Sequence, residues 1–135
     1  MLSNSPKKKM IFVSKDIEFG SWSWDIPNKT VTFSPDWFKS LGYEVPQNLN
    51  QNIETWEKRI HQDDINRVMQ TLKLHLDGKT VFYQCVNRLL MKSGEFRENL
   101  DVGIVIVRNS SGDPLKMTGV DIDLSKTKFS QKDLE

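Results

Sequence analysis

The chain has 135 residues, 19 basic and 18 acidic side chains, a formal net charge of +1 and one cysteine, Cys85. That length fits one domain, which buries about 65–70% of its unfolded-chain surface and needs no staple. The balanced charge gives no field for nucleic acid or an anionic membrane, and one cysteine excludes an internal disulfide and any multi-cysteine metal site. No apolar run approaches the ~20 residues that span a bilayer, and no signal-peptide core precedes a cleavage site, so no membrane contact by this segment is expected. A lone thiol fits a reducing compartment, and a cytoplasmic location is expected, in a parent chain free to be membrane-anchored elsewhere.

Residues 1–18 read as a polar tail with the basic run Lys7-Lys8-Lys9, followed by a flanking segment. Met10, Val13 and Ile17 at i, i+3, i+7 suit a short amphipathic helix, and an extended Met10–Val13 is the alternative. Phe19–Asp25 reads as the first strand, with Trp22 and Trp24 on one face and Ser21, Ser23 and Asp25 on the other. Gly20 suits a close backbone approach. Pro27-Asn28 makes a turn and Val31-Thr32-Phe33 resumes the extended pattern. Ser34 and Pro35 read as N-cap and N1 of a helix carrying Trp37, Phe38 and Leu41 and stopping at Gly42.

Pro46 and the Asn/Gln-rich run 47–52 read as a loop, and Ile53, Trp56 and Ile60 as a second short helix. A longer helix is expected over about 62–76, with its apolar stripe on Val68, Leu72 and Leu76; Asp63 and Asp64 then favour its dipole. His61 reads as an N-cap or packing residue. His75 is placed about one position off the stripe, facing solvent. From Val81 to Met91 the odd positions include Tyr83, Cys85 and Asn87, and Ser93-Gly94 is a hairpin turn. In the next strand the even positions Phe96, Glu98, Leu100, Val102, Ile104 and Ile106 alternate with Arg97, Asn99 and Asp101, which predicts the even set in the core. Asn109–Pro114 is a second hairpin turn, Leu115–Leu124 the last strand, and Ser125–Lys128 the start of an outgoing helix. The fold class is therefore α+β: a five-stranded antiparallel sheet with short helices packed on one face. Leu134-Glu135 has the composition of a vector scar, so 126–135 is expected to be a linker cut from a longer protein.

Five motifs, in order, resemble the PAS domain, in the subtype common in bacterial histidine kinases and cyclic-di-GMP enzymes. They are Gly20–Asp25 (G-x-W-x-W-D), Ser34–Tyr43 (S…L-G-Y), His61–Asp64 (H-P-D-D), Arg88–Arg97 (R-L…K-D-G-x-Y-R) and Gly119–Ser125 (G-x-x-x-D-I-T). The domain spans 19–125. Gln62, Ser93 and Glu98 depart from the family's Pro, Asp and Trp. Glu98, by parity on the face of Phe96 and Leu100, is costly to bury unless paired. It meets Arg88, contacts a ligand, or sits at the sheet edge.

The resemblance implies a sensory input module of a signalling protein, responding to a small ligand or a partner domain and transmitting through its C-terminal helix. Asp123 and Ser125 match the family's exit residues and are the expected transmission pair. The alternative is a ligand-free dimerisation or spacer domain. The family's cavity, between sheet and helices, has candidate walls at Trp37, Trp56, Met69, Tyr83, Cys85 and Asn87, with Glu98 as a further candidate. No catalytic constellation, phosphate-cradling loop or metal spacing appears, so no enzyme activity is expected of this segment. Neither haem nor flavin is expected: Cys85 lies in a strand rather than in the helix that flavin–cysteine photochemistry uses. A homodimer through the flanking helix and the outer sheet face, with Phe82, Val86 and Leu90 on it, is implied, as is an effector domain in the same chain.

Overall fold

In the computed structural model residues 19–126 are described. The expected flanking helix at 10–17, the continuation of the outgoing helix and Leu134-Glu135 lie outside them. The elements are β1 (Phe19–Asp25), β2 (Thr30–Phe33), α1 (Pro35–Ser40), β3 (Asn50–Asn52), α2 (Glu54–Glu57), α3 (Ile65–Leu76), β4 (Tyr83–Leu90), β5 (Phe96–Arg108) and β6 (Pro114–Asp123), then a 3₁₀ turn at Leu124–Lys126. The strands form one antiparallel sheet in the order β3-β2-β1-β6-β5-β4. It has six strands rather than five because Asn50–Asn52, in the run read as a loop, pairs with Thr30–Thr32 of β2.

The helices lie against one face, and the core between them holds Trp37, Phe33, Leu41, Val68 and Leu89, each at most 2% exposed. Burying an aliphatic or Phe side chain of this kind contributes about 1.5–3 kcal/mol relative to exposure. Phe33 stacks on Trp37 at 3.8 Å, and Phe38 meets Trp37 edge-on at 5.1 Å. This aromatic block seats α1 on β1. A Cβ at Gly20 would lie 2.7 Å from the Cα of Trp37, so the helix approaches the strand through the glycine. Ser34 is extended, as an N-cap requires, but its hydroxyl accepts the Ser21 N–H at 3.0 Å instead of capping α1. It therefore ties the helix start to β1.

The α3 helix begins at Ile65, later than expected, because Asp64 is engaged elsewhere. Its carboxylate accepts the Arg88 main-chain N–H at 2.9 Å and the guanidinium at 2.7 and 3.0 Å. His61 donates its N–H to the Arg88 carbonyl, the Arg59 carbonyl accepts from Leu90 N–H, and Arg67 donates to the Val86 carbonyl. Residues 59–67 thereby cover the outer edge of β4. The His61 imidazole accepts the Asp63 N–H and packs on Phe96, which is a packing role; the N-cap of α3 is Asp64, not His61.

His75 is buried, not solvent-facing. Seven residues make almost two helical turns, so positions 68, 72 and 75 share a stripe, and these are the buried residues of α3. Its Nδ1–H donates to the Thr80 carbonyl and its Nε2 accepts the Val105 N–H, both at 3.0 Å. The Val105 amide lies where the β5–β6 register shifts, so His75 pins an irregular point of the sheet to α3.

The larger correction concerns β5. Register partners are Leu89↔Arg97, Asn87↔Asn99, Cys85↔Asp101 and Tyr83↔Gly103, and directly opposed residues share a face. Since the odd residues of β4 face the helices, the odd residues of β5 do too. The inner face of β5 is therefore Arg97, Asn99, Asp101 and Gly103, not Phe96, Glu98 and Leu100.

Candidate functional site

Polar side chains line the inner face of β5 and β6 where a core would ordinarily be apolar. Arg97, Asn99, Asp101, Asp121 and Asp123 are all at most 3% exposed. Asp101 and Asp121 are register partners across the two strands. The Trp22 indole N–H donates to Asp101 at 3.0 Å, and the Trp37 indole N–H donates to Asp121 at 2.6 Å. Each carboxyl thus receives one indole from the adjoining layer.

Trp22 reaches Asp101 because two glycines form its floor. A Cβ at Gly103 would lie 2.6 Å from Trp22 Cη2, and one at Gly119 would lie 2.4 Å from Cζ2. Gly103 and Gly119 are register partners, so the indole crosses β6 and β5 over a bare patch of sheet.

Two carboxyls this close and this buried do not both ionise. Burial, then the Asp121 charge, pushes Asp101 well above the usual carboxylate range. Asp101 keeps its proton and donates it to Asp121. Burial raises Asp121 as well, but hydrogen bonds from Asp101, Trp37 and Asn99 oppose that rise, which makes it the ionised member.

From this pair a chain of polar contacts runs to the strand exit. The Asn99 amide donates to Asp121 at 3.1 Å, and Arg97 donates to the Asn99 carbonyl at 2.9 Å. Arg97 also donates to the Ser40 carbonyl and hydroxyl at the end of α1. Its Nε lies 3.9 Å from Asp123. Asp123 in turn accepts the N–H and the hydroxyl of Ser125 on one oxygen, capping the first residues after β6. The chain joins α1, β5, β6 and the exit through one guanidinium.

Beside the carboxyl pair is a cavity of about 30 Å³, walled by Trp22, Trp24, Phe33, Trp56, Tyr83 and Asp101. Val31, Ile53, Leu72 and Met117 complete it. A void of that size holds about two waters. The Trp24 indole N–H has no hydrogen-bond partner among the described residues, and the Tyr83 hydroxyl meets the Cys85 thiol. Burial, then the carboxyl of Asp101, pushes the Tyr83 phenol well above its ordinary value, and burial raises the Cys85 thiol.

Of the pocket residues read from sequence, Trp56 and Tyr83 line this cavity. Trp37 is buried beside it and serves Asp121. Cys85 faces inward and takes a hydrogen bond from Arg67 at 3.4 Å. Asn87 faces inward opposite Asn99, with its amide unpartnered among the described residues. Met69 is partly buried at the margin of the core. Glu98 is not a pocket residue: it is exposed on the outer face, directly across from Arg88. Arg97, Asn99, Asp101 and Asp121 were missed. The signal that finds them is hairpin register, which overrides the hydrophobicity of one strand read alone. Among the described residues no group of His, Cys, Asp and Glu is arranged to hold a metal ion, and no helix is long and apolar enough to cross a membrane.

The family model described as the PAS fold matches residues 30–121. Among solved structures, the chain is similar to a sensory box histidine kinase/response regulator from Burkholderia thailandensis E264. The identity is 30%, with 79% of this chain and 77% of that one covered, at a TM-score of 0.70. The N-terminal domain of a diguanylate cyclase with PAS/PAC sensor from Marinobacter aquaeolei is 24% identical, covering 79% and 95%, at 0.67. A domain of a putative light and redox sensing histidine kinase from Haloarcula marismortui is 19% identical, covering 82% and 92%, at 0.67. No curated protein is similar enough to count as a match. With its family model running from β2 into β6, as far as Asp121, and so covering most of the described residues, this chain belongs to the PAS fold family.

Proposed function

We propose that this domain is the input module of a larger cytoplasmic signalling chain, and that it reports the state of its inner sheet face to whatever follows Ser125. The observation that carries this reading is the buried chain Asp101–Asp121–Asn99–Arg97–Asp123–Ser125. The links from Asp101 to Asp123 are buried and Ser125 lies at the surface, so a change at the inner end reaches the exit through a medium of low dielectric. An effector domain of the same chain receives the change, and two copies associate through the outer sheet face and the segment before β1. Neither haem nor a flavin–cysteine adduct is part of the mechanism. Both ring nitrogens of His75 are engaged by main-chain groups, and Cys85 lies in β4 rather than in a helix.

The test is amide exchange at Ser125 after Arg97→Lys, which keeps the charge and loses the guanidinium fork. Faster exchange at Ser125, with protection kept in β1, is expected. Unchanged exchange there overturns the reading. A ligand-free dimerisation domain is the second reading, favoured by the small cavity. Its signature is a melting temperature that no metabolite raises.

A further inference from the structure

We infer that the cavity beside Asp101 takes a small neutral molecule with a hydrogen-bond acceptor and no donor, the class of acetaldehyde and dimethyl ether. This deepens the input reading above and rests on it. The wall selects against charge. Val31, Phe33, Ile53, Leu72 and Met117 join the indoles in lining it, so an entering ion gives up its hydration and meets no counter-charge. The polar groups set into the wall are engaged with each other or with their neighbours. Asp101 accepts the Trp22 indole N–H and donates to Asp121, and the Tyr83 hydroxyl meets the Cys85 thiol.

One buried polar atom of the wall is left over. Trp24 lines the cavity beside Met117, its register partner in β6, and its buried indole N–H has no partner among the described residues. The indole is a donor only, and a buried donor without an acceptor is destabilising. A ligand that brings an acceptor removes that penalty. Water is a poor occupant, because a held water needs about two to four polar partners and the wall offers this one. A ligand hydroxyl or amine fails for the same reason, since its own hydrogen is stranded among apolar groups. A hydrocarbon fills the space and leaves the indole unpaired. The volume of about 30 Å³, room for about two waters, limits the molecule to two or three heavy atoms. Such a molecule lies with its oxygen toward Trp24 and its carbon against the aliphatic and aromatic wall. No covalent bond forms or breaks.

The probe is dimethyl ether, with propane as the hydrocarbon of the same shape and ethanol as the isomer that carries an O–H. Titration is followed by the indole N–H resonances of the ¹⁵N-labelled chain. A saturable downfield shift of the Trp24 indole proton is expected with dimethyl ether and not with propane. Ethanol should bind more weakly than its isomer. Trp24→Phe removes the N–H and keeps an aromatic ring, so it should cost dimethyl ether about tenfold more affinity than it costs propane. The shift in the unsubstituted chain stands independently of how that variant folds. No saturable Trp24 shift, equal losses for ether and propane in Trp24→Phe, or ethanol binding as tightly as the ether overturns the inference. If dimethyl ether fails while Arg97→Lys still loosens Ser125, this inference falls and the transmission reading stands. If the ether binds as expected while Arg97→Lys leaves Ser125 unchanged, the ligand class stands and the transmission reading falls.

Discussion

Replacing Gly103 with alanine tests the floor on which Trp22 lies. The new methyl would sit 2.6 Å from Trp22 Cη2, where ordinary contact begins at 3.4 Å, so the ring must retreat by roughly 0.8 Å. The indole N–H lies 3.0 Å from Asp101. A retreat of that size stretches the bond past the ~3.2 Å limit of a good N–H···O contact. Overpacking costs about 1–3 kcal/mol. The unmade buried hydrogen bond costs a further ~1–3 kcal/mol. Removing glycine from a strand returns up to about 1 kcal/mol, so a net loss of about 2–4 kcal/mol is expected. Urea denaturation measures it, and the Trp22 indole resonance reports the broken bond. The clash is with the ring, so Trp22→Leu should relieve it, giving a coupling of about 1–3 kcal/mol in the double-mutant cycle. Additivity within about 0.5 kcal/mol would mean that the alanine acts through the Thr118 carbonyl, 3.0 Å away, and would refute the argument.

The buried carboxyls set two opposite pH dependences. Hydrogen bonds from Arg88 hold Asp64 below the ordinary carboxylate value, so its contribution is complete above about pH 4 and is lost as pH falls through the folded value. Asp101 lies above that value, so its contribution is complete below about pH 4 and is lost as pH rises through the folded value. Asp64→Asn should flatten the acid limb of a urea-midpoint profile and Asp101→Asn the opposite limb; an Asp101→Asn profile parallel to that of the parent chain would sink the assignment of the proton. Val86 lies on the outer face opposite Leu100, half-buried, and Val86→Asp should dissociate a homodimer in light scattering while leaving near-UV circular dichroism intact. Loss of folding would show that Val86 belongs to the core.

Much of the architecture was legible because its signals are local. Period-two Trp22 and Trp24, Ser-Pro ahead of α1, and glycine turns at 94 and 112 each act within a few residues. What failed depended on distance. The alternation of β5 is real, but its even residues pack outward, where Leu100 is only 3% exposed, and its odd residues are polar groups satisfied by β1, α1 and β6. A strand whose outer face is the more apolar one and whose inner face carries satisfied polar groups does not declare its inner side by hydrophobicity. Pairing does: with Tyr83, Cys85 and Asn87 inward, the odd-to-odd register of the hairpin leaves no other choice. His75 was misplaced by an arithmetic of turns, since i+7 returns to the stripe more closely than i+8. The exit pair was visible as a motif, whereas the route to it from Asp121 ran through residues taken for solvent-facing.

The coverage of β4 bears on how such domains coexist. An uncovered strand edge is a template for another chain. Here the outward N–H and carbonyl of Arg88, the Leu90 N–H and the Val86 carbonyl are taken up by residues 59–67. At the opposite margin, β3 is only three residues long and wholly polar. Two copies held together at high local concentration are thereby discouraged from extending each other's sheet into a fibre along these stretches. The proposed pairing of two copies is thereby left to the faces of the sheet.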